Sequence, residues 1–197
     1  FCPSRCSYCS FVSHSVESAK KLIPDYIEKL SEEIEKTAEI SKKYNLKLET
    51  VYIGGGTPTS LSAEEIAEVM SDIKKSFDLS AVREYTVEAG RPDTITREKL
   101  VAIKNFGATR ISINPQTMNN ETLVKIGRKH TPEEILESFE IARKVGFSNI
   151  NMDLIAGLPG ETPEMFYKSI DDIINLSPEN ITVHSMCVKR AAKLRFT

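Results

Sequence analysis

Cysteine is scarce in this 197-residue chain, four in all, and neither sign of charge dominates. Each shortage excludes something. With 26 Lys and Arg against 28 Asp and Glu, the formal net charge is −2 and the isoelectric point about 6.0. That leaves no basic footprint for a nucleic-acid backbone. No apolar run approaches the roughly 20 residues a membrane-spanning helix needs. No basic stretch runs into an apolar one as a secretory leader would. A cytoplasmic location, with no nucleic-acid or membrane partner, is the expectation. No linker, low-complexity tract or repeat interrupts the chain, which is long enough for one sizeable domain.

Three of the four cysteines fall in the first nine residues, as Cys2-x3-Cys6-x2-Cys9. A secreted disulfide framework spreads an even count along a short chain, which this is not. Three thiolates this close can hold a metal centre. A structural zinc site takes four ligands, usually from two paired knuckles; no second Cys-x2-Cys follows, and His14 is a weak fourth ligand. Three ligands on a [4Fe–4S] cubane leave one iron open to bind a substrate or cosubstrate. The spacing favours iron–sulfur and leaves zinc and coincidence open. Cys187 stands alone and is expected to be a small buried hydrophobe.

Short β-branched runs alternate with helix-periodic, charged stretches. Tyr26, Ile27, Leu30, Ile34 and Ala38 share a helix face after Pro24. Thr50 to Ile53 reads as a strand. Ser62-Ala63-Glu64-Glu65 is a capping box before Ile66, Val69, Met70 and Ile73. Glu84 to Ala89 is the next strand, then a helix from about Thr96 to Phe106 closed by Gly107. Arg110 to Ile113 is a strand, and Thr131-Pro132-Glu133-Glu134 opens a helix that Gly146 stops. A strand from Asn149 to Ile155, a helix from Thr162-Pro163-Glu164 and a strand at Ile181 to Val183 complete the series. Alternating βα units predict a parallel sheet with helical crossovers.

The strand faces sharpen this. Buried parallel strands usually read as continuous apolar runs. Here Glu84, Thr86 and Glu88 alternate with Tyr85, Val87 and Ala89. Asn149, Asn151 and Asp153 alternate with Ile150, Met152 and Leu154, and Asn180, Thr182 and His184 with Ile181 and Val183. Buried polar groups need partners. The expected fold is therefore α/β, a partial barrel curved around a solvated or ligand-filled lumen.

Candidate ligand groups gather at the carboxyl ends of these strands, where such sheets bind ligands. Gly54-Gly55-Gly56-Thr57-Pro58-Thr59 lets the backbone approach a ligand closely; a flexible turn is the alternative. It lacks the Lys-Ser/Thr of a phosphate loop, so nucleoside triphosphate cleavage is not expected. Glu88, Asn114, Gln116 and Asp153 suit hydroxyl recognition, as on a ribose, or a satisfied interior network. Arg128 suits a carboxylate, or a solvated surface.

Cys2-x3-Cys6-x2-Cys9, with Tyr8 before the last cysteine, resembles the radical S-adenosylmethionine (SAM) signature, and Gly54 to Thr59 resembles that superfamily's glycine motif. Four further segments are similar to the oxygen-independent coproporphyrinogen III oxidase family: Val87-Glu88-Ala89-Gly90-Arg91-Pro92-Asp93-Thr94, Ile111 to Met118, Ile126-Gly127-Arg128, and Asn151 to Gly160. The Glu-Ala-Gly-Arg-Pro and Asn-Pro-Gln-Thr wording, with Val183-His184-Ser185 and Lys189-Arg190-Ala191, most resembles its coproporphyrinogen dehydrogenase branch.

The resemblance implies a (βα)6-type TIM-like partial barrel, with residues 1–197 as a radical SAM core domain cut from a longer chain, its first strand and carboxyl-terminal domain outside. It implies that Cys2, Cys6 and Cys9 hold a [4Fe–4S] cluster whose open iron binds SAM. Gly55, Gly56 and Thr57 would line the methionine part, Arg128 would pair its carboxylate, Gln116 and Asp153 would hold the ribose hydroxyls, and Glu88 and Ile155 would lie nearby. A one-electron donor of flavodoxin or ferredoxin type would drive cleavage to a 5′-deoxyadenosyl radical. The implied reaction converts coproporphyrinogen III propionates to vinyl groups in haem biosynthesis, with Arg91, Lys189 and Arg190 as candidates for the substrate carboxylates. A haem-binding chaperone without oxidase activity is the family's other implied role.

Overall fold

The computed structural model describes residues 1–12 and 14–196, with side chains through 194. The amino-terminal half runs α1 (Val16–Ala19), α2 (Ile23–Lys43), β1 (Thr50–Ile53), α3 (Ala63–Ser76), β2 (Glu84–Glu88) and α4 (Arg97–Asn105). The remainder runs β3 (Arg110–Gln116), α5 (Asn120–Lys125), α6 (Pro132–Val145), β4 (Ile150–Ala156), α7 (Pro163–Asn175) and β5 (Asn180–Ser185). The five strands form one sheet in sequential order, every neighbouring pair parallel. That is a barrel wall opened along one line, the architecture expected from the sequence.

Local chemistry sets the boundaries. Ser62 with Glu65, and Thr131 with Glu134, form complete capping boxes at the starts of α3 and α6. Thr96 and Thr162 cap α4 and α7 by accepting backbone N–H groups. Gly146 ends α6 at φ 99°, in the left-handed region. Two features depart from the sequence-based expectation. β3 continues past Ile113 through Pro115 to Gln116, because its pairing with β4 shifts register there and tolerates a proline that cannot donate. The short helices α1 and α5 hold too few turns to leave a readable period.

The sheet has one apolar and one polar face. Tyr85, Val87, Ile111, Ile113, Ile150, Met152 and Leu154 are buried in one core with Leu100, Ile103, Ile135, Phe139, Ala142 and Ile173 from the helices. The alternate positions carry Thr86, Glu88, Ser112, Asn114, Asn151, Asp153 and Thr182, which turn to the concave side. A smaller cluster of Ile23, Ile27 and Val69 seats α2 on α3. No described helix is long and apolar enough to cross a membrane.

Ile113 on β3 is fully buried. Ile113→Ala is expected to lower unfolding stability by about 2–5 kcal/mol. Ser62→Ala, which removes only a cap, should cost about 1 kcal/mol. Urea denaturation of both variants measures the contrast.

Candidate functional site

The cysteine loop lies across the carboxyl ends of the strands because backbone hydrogen bonds fasten it there. Thr57 N–H donates to the Phe1 carbonyl at 2.9 Å, and Ser7 N–H to the Ile126 carbonyl at 2.9 Å. Ser4 Oγ donates to the Gly127 carbonyl at 3.1 Å. Two glycines permit the approach. A Cβ on Gly56 would collide with the Phe1 carbonyl oxygen, and one on Gly127 (φ 76°) would come within 3.2 Å of the Arg5 carbonyl oxygen.

Two guanidiniums are buried beneath this loop. Arg91, 2% exposed, donates from Nη2 to Cys6 Sγ at 2.8 Å and from Nη1 to Ser4 Oγ at 2.8 Å. Arg128, 8% exposed, donates from Nη1 to the Gly90 and Asn114 carbonyls, each at 3.2 Å, and from Nη2 to Tyr8 Oη at 2.9 Å. Its Nε is buried without a partner. Burial alone would raise the Cys6 thiol pKa, but the positive charges of Arg128 and Arg91, with the hydrogen bond from Arg91, hold it below its ordinary value. Burial pushes the Tyr8 hydroxyl up to about 12, so it remains a neutral acceptor for Arg128.

A cleft of about 390 Å³ opens at this end of the barrel. Its walls bring together Cys2, Cys6, Cys9, Gly55, Gly56, Thr57, Glu88, Gln116, Arg128, Asp153 and Ile155, every cofactor and metal candidate named from the sequence. Thr57 Oγ1 lies 3.5 Å from Cys2 Sγ. A polar ladder crosses the floor from β2 to β5. Asn114 donates to Glu88 Oε1 at 2.8 Å, Ser112 to Asn114 Oδ1 at 2.9 Å, and Asn151 to Ser112 Oγ at 2.9 Å. Asn151 also donates to Asp153 Oδ1 at 2.6 Å and accepts from Thr182 at 2.9 Å. Glu88 and Asp153 thus belong to an interior network and to the cleft wall together. Burial raises the Glu88 carboxyl pKa and the neighbouring Asp153 charge adds to it, outweighing the hydrogen bonds from Asn114 and the Gly55 N–H. Gln116 has φ 72°, rare for a residue with a Cβ, and its Oε1 is buried without a partner.

Two expectations, on Arg91 and Cys187, are corrected. Arg91, expected among the residues meeting substrate carboxylates at the mouth, borders the cleft but is 2% exposed, and its guanidinium donates to Ser4 and Cys6 under the cysteine loop. Of the two readings of Arg128, the solvated surface does not hold, because the side chain is buried. Cys187, expected in the core, is exposed and lines the cleft rim. It follows β5, an edge strand whose residues are mostly exposed, and no described element covers it. Lys189 lies on the rim and Arg190 is not among the lining residues. The sequence reading gave no role to Tyr8 as a partner of Arg128. His184, named only for its strand face and motif, has its Nε2 3.8 Å from Asp153 Oδ2. Neither pairing has a sequence signal, since each joins residues brought together only by the fold.

The residues present fit an iron–sulfur cluster with an amino-acid-bearing cosubstrate. The three thiols share one cleft with a buried cation. Among the described residues, no three His, Cys, Asp or Glu side chains close on one point as ligands of a single ion would. A polynuclear cluster takes one thiolate per iron and needs no such convergence. Arg128 Nε and Gln116 Oε1 are buried without a partner, on two residues that line this cleft.

Residues 1–173 match the Radical SAM superfamily. The chain is 45% identical over 195 residues to the oxygen-independent coproporphyrinogen-III oxidase-like protein HemZ of Bacillus subtilis, covering 98% of this chain and 39% of that protein. It is 40% identical over 193 residues to the haem chaperone HemW of Bacillus subtilis, covering 96% of this chain and 49% of that one. The chain thus spans less than half the length of these curated relatives. Among solved structures, coproporphyrinogen III oxidase (HemN) from Escherichia coli, described as a radical SAM enzyme, superposes with a TM-score of 0.84 at 27% identity, covering 98% of this chain and 44% of that one. The chain belongs to the radical SAM superfamily, and membership implies a [4Fe–4S] cluster and SAM.

Removing the Asp153 charge should relieve Glu88. In Asp153→Asn, the Glu88 carboxyl should titrate at lower pH than in the wild type, read by carboxyl-carbon NMR. An unchanged midpoint would mean that the two carboxylates do not sense each other across the cleft.

Proposed function

We propose that this radical SAM chain is the core of an oxidoreductase that converts coproporphyrinogen III propionates to vinyl groups without oxygen. The observation that carries the reading is the buried Arg128 guanidinium, whose three hydrogen bonds all go to neutral oxygens and whose Nε has no partner, beside three cysteine thiols in a single cleft. A buried cation needs an anion. The carboxylate of an amino acid delivered into the cleft supplies one, in a geometry suited to a guanidinium fork.

In this reading Cys2, Cys6 and Cys9 hold the cluster. Arg128 orients the cosubstrate carboxylate, and Tyr8, neutral up to about pH 12, fixes the plane of that guanidinium. Gly55, Gly56 and Thr57 approach the methionine part closely because no side chain intervenes at the two glycines. Gln116 and Asp153 meet the ribose hydroxyls, with the ladder through Asn151 and Ser112 keeping Asp153 from swinging away. Glu88, tied to Asn114, and Ile155 complete the same wall. When bound, the cluster and SAM supply a one-electron sulfonium cleavage and a hydrogen-abstracting carbon radical. The cleft walls restrict which C–H bond is met. Lys189 on the rim suits a propionate carboxylate. Per vinyl group formed the substrate would lose one hydrogen atom to the carbon radical, carbon dioxide, and one further electron to an external one-electron acceptor, and a flavodoxin- or ferredoxin-type protein is the proposed donor to the cluster.

The substrate assignment draws on the similarity to the oxidase-like protein and on the shared motifs. A second reading, a haem-binding chaperone, is favoured by the 40% identity to a haem chaperone over 96% of this chain. The two predict opposite results for the complete protein. Anaerobically reconstituted and reduced, the oxidase forms 5′-deoxyadenosine in step with loss of coproporphyrinogen III. The chaperone binds haem tightly and leaves the porphyrinogen unchanged.

A further inference from the structure

We infer that Arg91 sets the reduction potential of the cluster centre through Cys6. The inference rests on the proposal that Cys6 is a cluster ligand, and it adds a role for a residue outside the cofactor-binding set. Arg91 is 2% exposed, among the most deeply buried large side chains in the molecule. Among the described residues no carboxylate lies within ion-pair distance of it, and the nearest compensation is the charge of Asp93, acting from farther off. Its Nη2 lies 2.8 Å from Cys6 Sγ.

The position is held from every side. Arg91 N–H donates to the Ala89 carbonyl at 2.6 Å, and Thr94 Oγ1 donates to the Arg91 carbonyl at 2.8 Å. Thr94 Oγ1 lies 2.7 Å from Thr59 Oγ1, and Lys99 Nζ donates to the Thr59 carbonyl at 2.6 Å. At the other end Ser4 Oγ accepts from Arg91 Nη1 and donates to Gly127, which locks the guanidinium to the loop that carries Cys6. A cation so fixed cannot turn away when the charge of its neighbour changes.

Reducing the centre adds one electron, taken from the external donor, and one negative charge. Hydrogen bonds to the ligand sulfurs and the local charge are principal levers on iron–sulfur potentials. A donor and a fixed positive charge in a buried, weakly screening site favour the reduced state. Arg91 therefore raises the potential and makes the centre easier for a one-electron donor to reduce. Arg128 serves the ligand side of the cleft, and Arg91 the sulfur side.

Spectroelectrochemical titration of the anaerobically reconstituted protein tests this, with iron and sulfide content measured first. In Arg91→Met, loaded like the wild type, the ratio of reduced to oxidised centre at a fixed poise should fall at least tenfold, which is about 59 mV for a one-electron couple. Arg91→Lys keeps the charge but loses the fork to Cys6 and Ser4, and should fall between the two. A ratio within twofold of the wild type in a fully loaded Arg91→Met overturns the inference. If Arg91→Met does not load, Arg91→Lys decides by the same criterion. If neither variant loads while the wild type does, Arg91 serves assembly rather than potential, and the inference is wrong. A wild type that takes up no iron–sulfur centre at all would instead overturn the assignment of the three cysteines.

Discussion

Two guanidiniums buried under a cysteine loop, neither within ion-pair distance of a described carboxylate, are the constraint on which the rest of this structure depends. Taking a cation out of water costs several kcal/mol even after relaxation. The fold accepts that cost twice within one small region, at Arg91 and Arg128, and repays it with neutral oxygens and one sulfur instead of carboxylates. Such a site is incomplete until anionic groups arrive. Thiolates on the loop side and a carboxylate on the cleft side are the anions its geometry admits.

The sheet supports this arrangement by dividing its labour between two faces. The apolar face makes the core with the crossover helices, so the strands can spend their other face on hydrogen bonding. The ladder from Glu88 through Asn114, Ser112 and Asn151 to Asp153 and Thr182 spans four strands. It keeps each cleft carboxylate in one rotamer while leaving oxygen atoms facing the ligand space. Preorganisation of this kind lowers the cost of ordering the site when ligand binds.

Much of this was legible in the sequence because it is written in local signals. Capping residues such as Ser62 and Thr131, the left-handed Gly146, and the period-two polarity of β2, β4 and β5 each depend on neighbours within a few positions. The barrel wall and the gathering of the candidate residues at its carboxyl end followed from them. What stayed hidden depends on long-range approach. Nothing near Arg91 in sequence tells that it points to Cys6, 85 residues away. Cys187 read as a buried hydrophobe because its type usually is one, and only its place after an exposed edge strand shows otherwise. Pro115 and the strained Gln116 concealed the end of β3, since a proline ordinarily argues against a strand.

The central claim is that Cys2, Cys6 and Cys9 grip an iron–sulfur cluster with one iron left open to a cosubstrate. Electron paramagnetic resonance of the dithionite-reduced, anaerobically purified protein, recorded before and after adding SAM, tests it most directly. The account predicts a cluster signal whose shape changes when SAM is added. A protein that carries stoichiometric zinc and shows no cluster signal would contradict it.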